Sequence, residues 1–362
     1  MKYVCQIPGK VKWDDPKDLD KMVSEIAENK SKITCLELTH NSIGTECAKK
    51  LSEAIASIEN LTSVNYRDLF VSRLKEDLPI SLKYLMEALS DKKINFLDLS
   101  DNAYGPTAIP SFDFFLKKTK YLEHLELENN GLGPEGAEMV CQALLENDNI
   151  KLKTIKISRN RLEEKGALNL AKVLQKMKSI EHLELFQNGI SSKGMKEIFL
   201  SLKENTNIQI LKINDNFTKD SIQSLIDILP ELKKLKIIDI SDSLIGDKLG
   251  CEFFKAIVNI NTIEEIYSNY NEIESKEAQK EIFELIEKNK NIKIVQLKGN
   301  EINKGLFKEF EKILKEKNKN LEKFECFSED EDEMGEEQEE KEEGTKEVDK
   351  LTEDIKKMDL NK

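Results

Sequence analysis

The chain has 362 residues, 35% of them charged, with Lys+Arg 56 against Asp+Glu 69 and a formal net charge of −13 at pH 7. Residues 328–362 hold 16 acidic and 6 basic side chains, a net of −10 that leaves −3 for residues 1–327; a near-neutral body with a polyanionic tail lacks the basic patch nucleic acid requires and suits a basic partner. No window reaches the ~18–20 uninterrupted apolar residues of a membrane span, and "MKYVCQIPGKVKW" has no apolar leader core, so a soluble intracellular protein that binds neither nucleic acid nor membrane is expected.

In chain order, "MKYVCQIPGKVKWDDPKDLDKMVSEIAENKS" reads as an atypical strand and helix that cap the front of a repeat array. The array has ten copies of the pattern L-x-L-x-x-N-x-L: "LELTHNSI", "VNYRDLFV", "LDLSDNAY", "LELENNGL", "IKISRNRL", "LELFQNGI", "LKINDNFT", "IDISDSLI", "IYSNYNEI" and "VQLKGNEI". Their asparagine slots fall at 41, 69, 102, 130, 160, 188, 216, 243, 271 and 300, spaced by 28, 33, 28, 30, 28, 28, 27, 28 and 29. Eight slots hold Asn; Leu69 and Ser243 are the exceptions.

Each copy opens with a short alternating strand, as Leu125 and Leu127 do in "HLELENN". The Asn after it must be buried with its amide bonded to the turn's backbone, since a strand ending there leaves peptide groups unpaired. A helix comes next: "GPEGAEMVCQALLE" starts near Pro134 and repeats Ala137, Val140, Cys141 and Leu144 at helical spacing. No unit buries its apolar face alone, so the units stack. The expected fold is an α/β leucine-rich-repeat solenoid, a ribonuclease-inhibitor-like horseshoe with parallel strands on the concave face and full helices outside. It occupies residues 1–327 with terminal caps, "LEKFECF" at 321–327 being the last strand. Residues 328–362 form a disordered acidic tail.

Six cysteines (Cys5, Cys35, Cys47, Cys141, Cys251, Cys326) form no CxxC pair and read as reduced core fillers. His124 and His182 share one repeat slot, in "LEHLEL" and "IEHLEL", and with His40 they lie far from ligand spacing, so no metal site is expected. There is no Walker loop, nucleophile elbow or paired-carboxylate motif. The period breaks once, after the second strand, where "RDLFVSRLKEDLP" is five residues longer than its neighbours and lacks the slot asparagine. Its side chains are freed from the interior, and Arg73 there can donate several hydrogen bonds to a phosphate or carboxylate.

Four segments, "NSIGTECAKKLSEAIA" (41–56), "FVSRLKEDLP" (70–79), "SDNAYGPTA" (100–108) and "ENNGLGPEGA" (128–137), together with the acidic tail, resemble the Ran GTPase-activating protein family, a crescent of eleven leucine-rich repeats with an acidic tail. The resemblance covers essentially the whole chain and is to the short, soluble form found outside animals. It implies a protein that is no hydrolase itself and has no cofactor of its own: it acts on Ran, which carries GTP and Mg2+, in Ran's GTP form, with a Ran-binding protein as a further partner. It would act as a cytoplasmic monomer concentrated near the nuclear envelope, supporting nucleocytoplasmic transport. On the same basis the functional arginine falls on Arg73 with Lys75 beside it, and the functional asparagine on Asn130, with Asn129 as the alternative; Asp101 and Asn102 are partner contacts. The family resemblance further implies an activator that steadies the GTPase's own glutamine, with Arg73 as interface anchor, in preference to one that inserts an arginine finger. The rival readings are a stoichiometric ribonuclease-inhibitor-like binder and a scaffold.

Overall fold

In the computed structural model, residues 2–4, 11–303, 305, 307 and 320–326 are described. The expected acidic tail, 328–362, and its boundary at 327 lie outside them. The chain forms two compact units, Met1–Leu235 and Lys236–Lys362.

In the first unit the strands Lys2–Val4, Cys35–Glu37, Ser63–Asn65, Phe96–Asp98, His124–Glu126, Thr154–Lys156, His182–Glu184 and Ile210–Lys212 are neighbours in a parallel sheet. Their register copies the sequence period. Cys35 pairs with Ser63, Ser63 with Phe96, Phe96 with His124, His124 with Thr154, and so on to Ile210, so the long second loop adds length without slipping a strand. The central residue of each of these strands from Leu36 to Leu211 is at most 3% exposed, packed beneath the outer helices.

The helices are Thr45–Ala56, Asp77–Glu87, Gly133–Glu146, Glu163–Met177 and Ser192–Leu202, with shorter ones at Asp113–Lys118 and Ile222–Ile228. The expectation of a full helix in every unit is corrected at those two. After Asn102 the chain makes a 3-10 turn at Pro106–Ser111 containing Pro110, and Ile222–Ile228 gives way to Leu229–Glu231, because proline supplies no N–H to continue a helix. At the front, the expected cap is a strand (Lys2–Val4) and a helix (Asp20–Asn29), joined by a two-residue strand, Lys12–Trp13, that pairs with Ser42–Ile43.

In the second unit, strands Ile237–Asp239, Glu265–Tyr267, Ile294–Gln296 and Lys323–Glu325 are parallel with the same one-repeat register, and helices Gly246–Ile257 and Lys276–Lys288 pack behind them. Ser275 caps the latter helix by accepting from the Ala278 N–H.

The slot asparagines form a hydrogen-bonded ladder. The Asn130 Oδ1 accepts from the Asn102 N–H at 2.9 Å, Asn160 from Asn130 at 2.9 Å, Asn188 from Asn160 at 2.8 Å and Asn216 from Asn188 at 3.2 Å. Each Nδ2 donates to the carbonyl three residues back and to one in the preceding unit, as Asn160 does to Ile157 at 3.0 Å and Leu127 at 2.8 Å. In the second unit Asn271 and Asn300 accept in the same way from the Ser243 and Asn271 N–H groups, with the Asn271 Nδ2 donating to the Ile240 carbonyl and to the Ser268 hydroxyl. Leu69 has no amide to offer, but its own N–H still donates to the Asn102 Oδ1 at 2.7 Å and its side chain is fully buried.

Directly before every slot stands a residue with positive φ: His40, Asp68, Asp101, Asn129, Arg159, Gln187 and Asp215 in the first unit, and Asp242, Tyr270 and Gly299 in the second. This left-handed step turns the chain so that the slot side chain points inward, while its own side chain stands on the rim; among the seven in the first unit none is buried.

Replacing Asn160 by Ala strips partners from the buried N–H of Asn130 and the carbonyl of Leu127. Urea unfolding should show a loss of about 3 kcal/mol, against under about 0.5 kcal/mol for Gln142→Ala on the exposed helix surface.

Candidate functional site

The long loop after Ser63–Asn65 is fastened at its middle, at Phe70 and Val71. Phe70 is buried edge-on to Tyr104, with centroids 6.2 Å apart, and the Ser42 hydroxyl donates to the Val71 carbonyl at 2.5 Å. Ser72 then takes a positive φ and the chain turns back.

Contrary to the sequence expectation, this loop does not hold Arg73 out to solvent. Its side chain is 11% exposed and lies along the front cap. Nη1 donates to the Asp14 carboxylate at 2.5 Å, and Nη2 to the carbonyls of Trp13 at 3.1 Å and Ser42 at 2.7 Å. The guanidinium thus clamps the two short strands Lys12–Trp13 and Ser42–Ile43 together. Gly44 makes room for it: a Cβ there would meet the Trp13 carbonyl at 3.2 Å and the Arg73 Nη1 at 3.3 Å. The Asp14 carboxyl is held below its ordinary value by the hydrogen bond from Arg73 first, then by Lys12. What the loop does present is Leu74, 67% exposed, with Lys75 and Glu76 beside it.

The two candidate asparagines separate cleanly. Asn130 is fully buried in the ladder, its Oδ1 on Asn102 and its Nδ2 on the carbonyls of Leu99 at 3.0 Å and Leu127 at 3.1 Å, so its amide meets no partner directly. The preference for Asn130 over Asn129 as the contacting residue is therefore corrected on grounds of access. Asn129 has φ 52, stands on the rim, and donates from Nδ2 to the Asp101 Oδ1 at 2.8 Å. Asn102 is likewise inside, 5% exposed, accepting from Leu69 and Phe70 and donating to Tyr66, Leu99 and Ser100. It fixes the long loop and offers nothing outward, so its reading as a partner contact is corrected too. Asp101, part-exposed with positive φ, is on the rim.

Beside Asp101 lies a charge network that the sequence reading passed over. Arg67 donates from Nε to Asp98 at 3.0 Å, from Nη1 to Asp101 at 2.7 Å and from Nη2 to Glu128 at 2.8 Å, with Glu126 at 3.7 Å. Burial alone would lower the guanidinium pKa, but these carboxylates raise it. Burial pushes the Glu126 carboxyl up, against the pull of Lys156 at 3.0 Å. The carboxylates converge on the arginine, and among the described residues no three His, Cys, Asp or Glu side chains are placed to hold a metal ion.

Two repeats beyond Asp101 along the rim, Arg159 and Arg161 flank the ladder residue Asn160, both exposed and both with positive φ, in a part of the rim where the units on either side carry Asn129 with Gly131 and Gln187 with Gly189. The signal in the sequence was an arginine, Arg161, at a position that holds glycine in the units on either side. On the rim of the first unit, then, a guanidinium pair, the Asn129 amide and the Asp101 carboxylate follow one another in adjacent repeats, able to bind a protein surface through complementary polar groups.

A profile described as Leucine Rich repeat matches residues 29–52, 120–141 and 176–199. The chain is 32% identical over 304 residues to Ran GTPase-activating protein 1 of Saccharomyces cerevisiae, an alignment covering 79% of this chain and 74% of the yeast one. It is 32% identical over 210 residues to the Ran GTPase-activating protein of Drosophila melanogaster, covering 55% of this chain and 35% of the fly protein, so it spans about a third of that relative's length. Among solved structures, a chain in the yeast Rad7 and Elc1 complex shares the fold alone, with a TM-score of 0.55 at 13% identity over 85% of this chain and 82% of that one. No helix among the described residues is long and apolar enough to cross a membrane.

The Arg73 clamp has a pH signature. A depressed carboxylate pKa contributes stability that is present above the unfolded value, near ~3.9, and is lost as pH falls through the folded one. Asp14→Asn should therefore melt below the parent at pH 7, and thermal melts should show the gap closing as pH drops below about 4.

Proposed function

The chain belongs to the Ran GTPase-activating protein family, and from that premise we propose that it binds Ran in its GTP form and accelerates hydrolysis by positioning groups the GTPase already owns. Ran carries the GTP and Mg2+, and this chain supplies a rim of side chains. The observation that carries the positioning reading is the state of Arg73: its guanidinium is engaged by Asp14 and by two backbone carbonyls, and its side chain is 11% exposed. To act as a finger it would have to break all three bonds and leave the front cap unclamped. As an anchor it needs no rearrangement, because it holds the loop that presents Leu74 and Lys75.

Asn129, with Asp101 at its side, is the rim amide we assign to the partner's mobile switch residues, and Asn130 and Asn102 position that rim from within. Steadying an attacking water's neighbours requires a fixed amide in the right place and no covalent chemistry from the activator. The acidic tail, 328–362, would attract a basic face of the partner and raise the association rate at low salt. The setting for this activity is the cytoplasm, where it would keep Ran in its GDP form and so support nucleocytoplasmic transport.

Single-turnover hydrolysis on Ran-GTP with substoichiometric protein tests the reading, an unchanged rate being the result that sinks it. For Arg73→Ala the concentration needed for half-maximal stimulation should rise more than about tenfold while the maximal rate stays within about threefold; a loss of about 10³ or more in maximal rate would instead mark a finger. Deleting residues 328–362 should leave the maximal rate intact and slow association at low salt only.

A further inference from the structure

We infer that Arg67 is a positioning residue that orients the Asn129 amide through Asp101, an inference that rests on reading Asn129 as the rim contact. An asparagine on an exposed turn ordinarily rotates about two side-chain torsions, and ordering it at the moment of contact is unfavourable. Asn129 is already ordered. Its neighbour Asp101 is a carboxylate, which only accepts, so the group facing it at 2.8 Å must be Nδ2, and Oδ1 is turned away from it, with no hydrogen-bond partner among the described residues.

A lone rim carboxylate could swing away and take the amide with it. Asp101 does not, because its two oxygens are divided: Oδ1 receives Asn129 and Oδ2 receives the Arg67 Nη1 at 2.7 Å. Arg67 in turn is fixed by Asp98, whose side chain is 3% exposed, and by Glu128, the residue preceding Asn129 in the chain. The guanidinium therefore grips both flanks of the asparagine, using a different nitrogen for each of three carboxylates. A planar fork can do this; a lysine ammonium cannot span the three positions. Without the fork, Lys156 at Glu126 is the nearest balancing cation shown for this group of carboxylates, and their mutual repulsion would drive Asp101 off the rim.

The test uses the full chain and Arg67→Lys, which keeps a cation beside the buried Asp98. The first readout is solution NMR of the Asn129 side-chain NH2 group. In the parent it should be as ordered as the backbone, and in Arg67→Lys it should relax like a freely rotating side chain; an Asn129 amide that stays equally ordered overturns the inference. This readout involves no GTPase, so it decides the role of Arg67 even if the parent proves inactive on Ran-GTP, a result that would instead overturn the functional reading. The second readout is the single-turnover cycle of Arg67→Lys, Asn129→Ala and the double variant. Arg67→Lys should lower the maximal rate about tenfold at unchanged half-saturation and cause no further loss in the Asn129→Ala background; a full second loss there overturns the relay. If Arg67→Lys does not fold, Asp101→Asn carries both readouts, since an amide cannot accept from Arg67 and Asn129 with both of its atoms.

Discussion

The asparagine ladder is the constraint on which the rest of the fold depends. A strand of three residues followed by a turn leaves peptide groups that no ladder of strands can pair, and a buried amide with one acceptor and two donors is the side chain that satisfies them. In the first unit the chain of contacts from Asn102 through Asn130, Asn160 and Asn188 to Asn216 passes from repeat to repeat through side-chain oxygen and backbone N–H. Because each amide also reaches the carbonyl of the preceding unit, the ladder fixes spacing as well as burial.

The same constraint creates the surface. Turning a slot residue inward requires a left-handed residue before it, and that residue's side chain must then face out. Thus "ENNGLG" contains one structural and one available asparagine by necessity: Asn130 is inside because Asn129 is on the rim. The structural residue holds the available one in place, and the row His40, Asp68, Asp101, Asn129, Arg159, Gln187, Asp215 is a line of side chains whose backbone positions are set by hydrogen bonds beneath them.

The period of the sequence made the strands, their parallel register and the identity of the ladder residues legible, since one slot spacing equals one register step, even across the 33 residues between Leu69 and Asn102. The helix at Gly133–Glu146 was legible from its apolar spacing and Pro134. What local pattern could not give was the direction of long side chains. Arg73 folds onto Asp14, which is 59 residues upstream, and Arg67 reaches carboxylates 31, 34 and 61 residues downstream. A flexible arginine chooses among such partners only after the repeats have stacked, so its spelling within "RDLFVSRLKEDLP" identifies a loop and a charge without saying where the charge goes. The short outer elements at Asp113–Lys118 and Ile222–Ile228 were signalled by Pro106, Pro110 and Pro230, against the pull of an otherwise regular period.

Function, as proposed, arises from rigidity on one rim: the clamp by Arg73 at the front, the fork of Arg67 behind Asp101, and an amide held ready at Asn129. The most direct measurement is the structure of this chain bound to Ran carrying GDP and a planar fluoride mimic of the transferred phosphoryl group. The account expects Arg73 still bonded to Asp14 and the Trp13 and Ser42 carbonyls, with Asn129 against the partner's switch residues. An Arg73 guanidinium withdrawn from Asp14 and bonded to the phosphoryl mimic would contradict it.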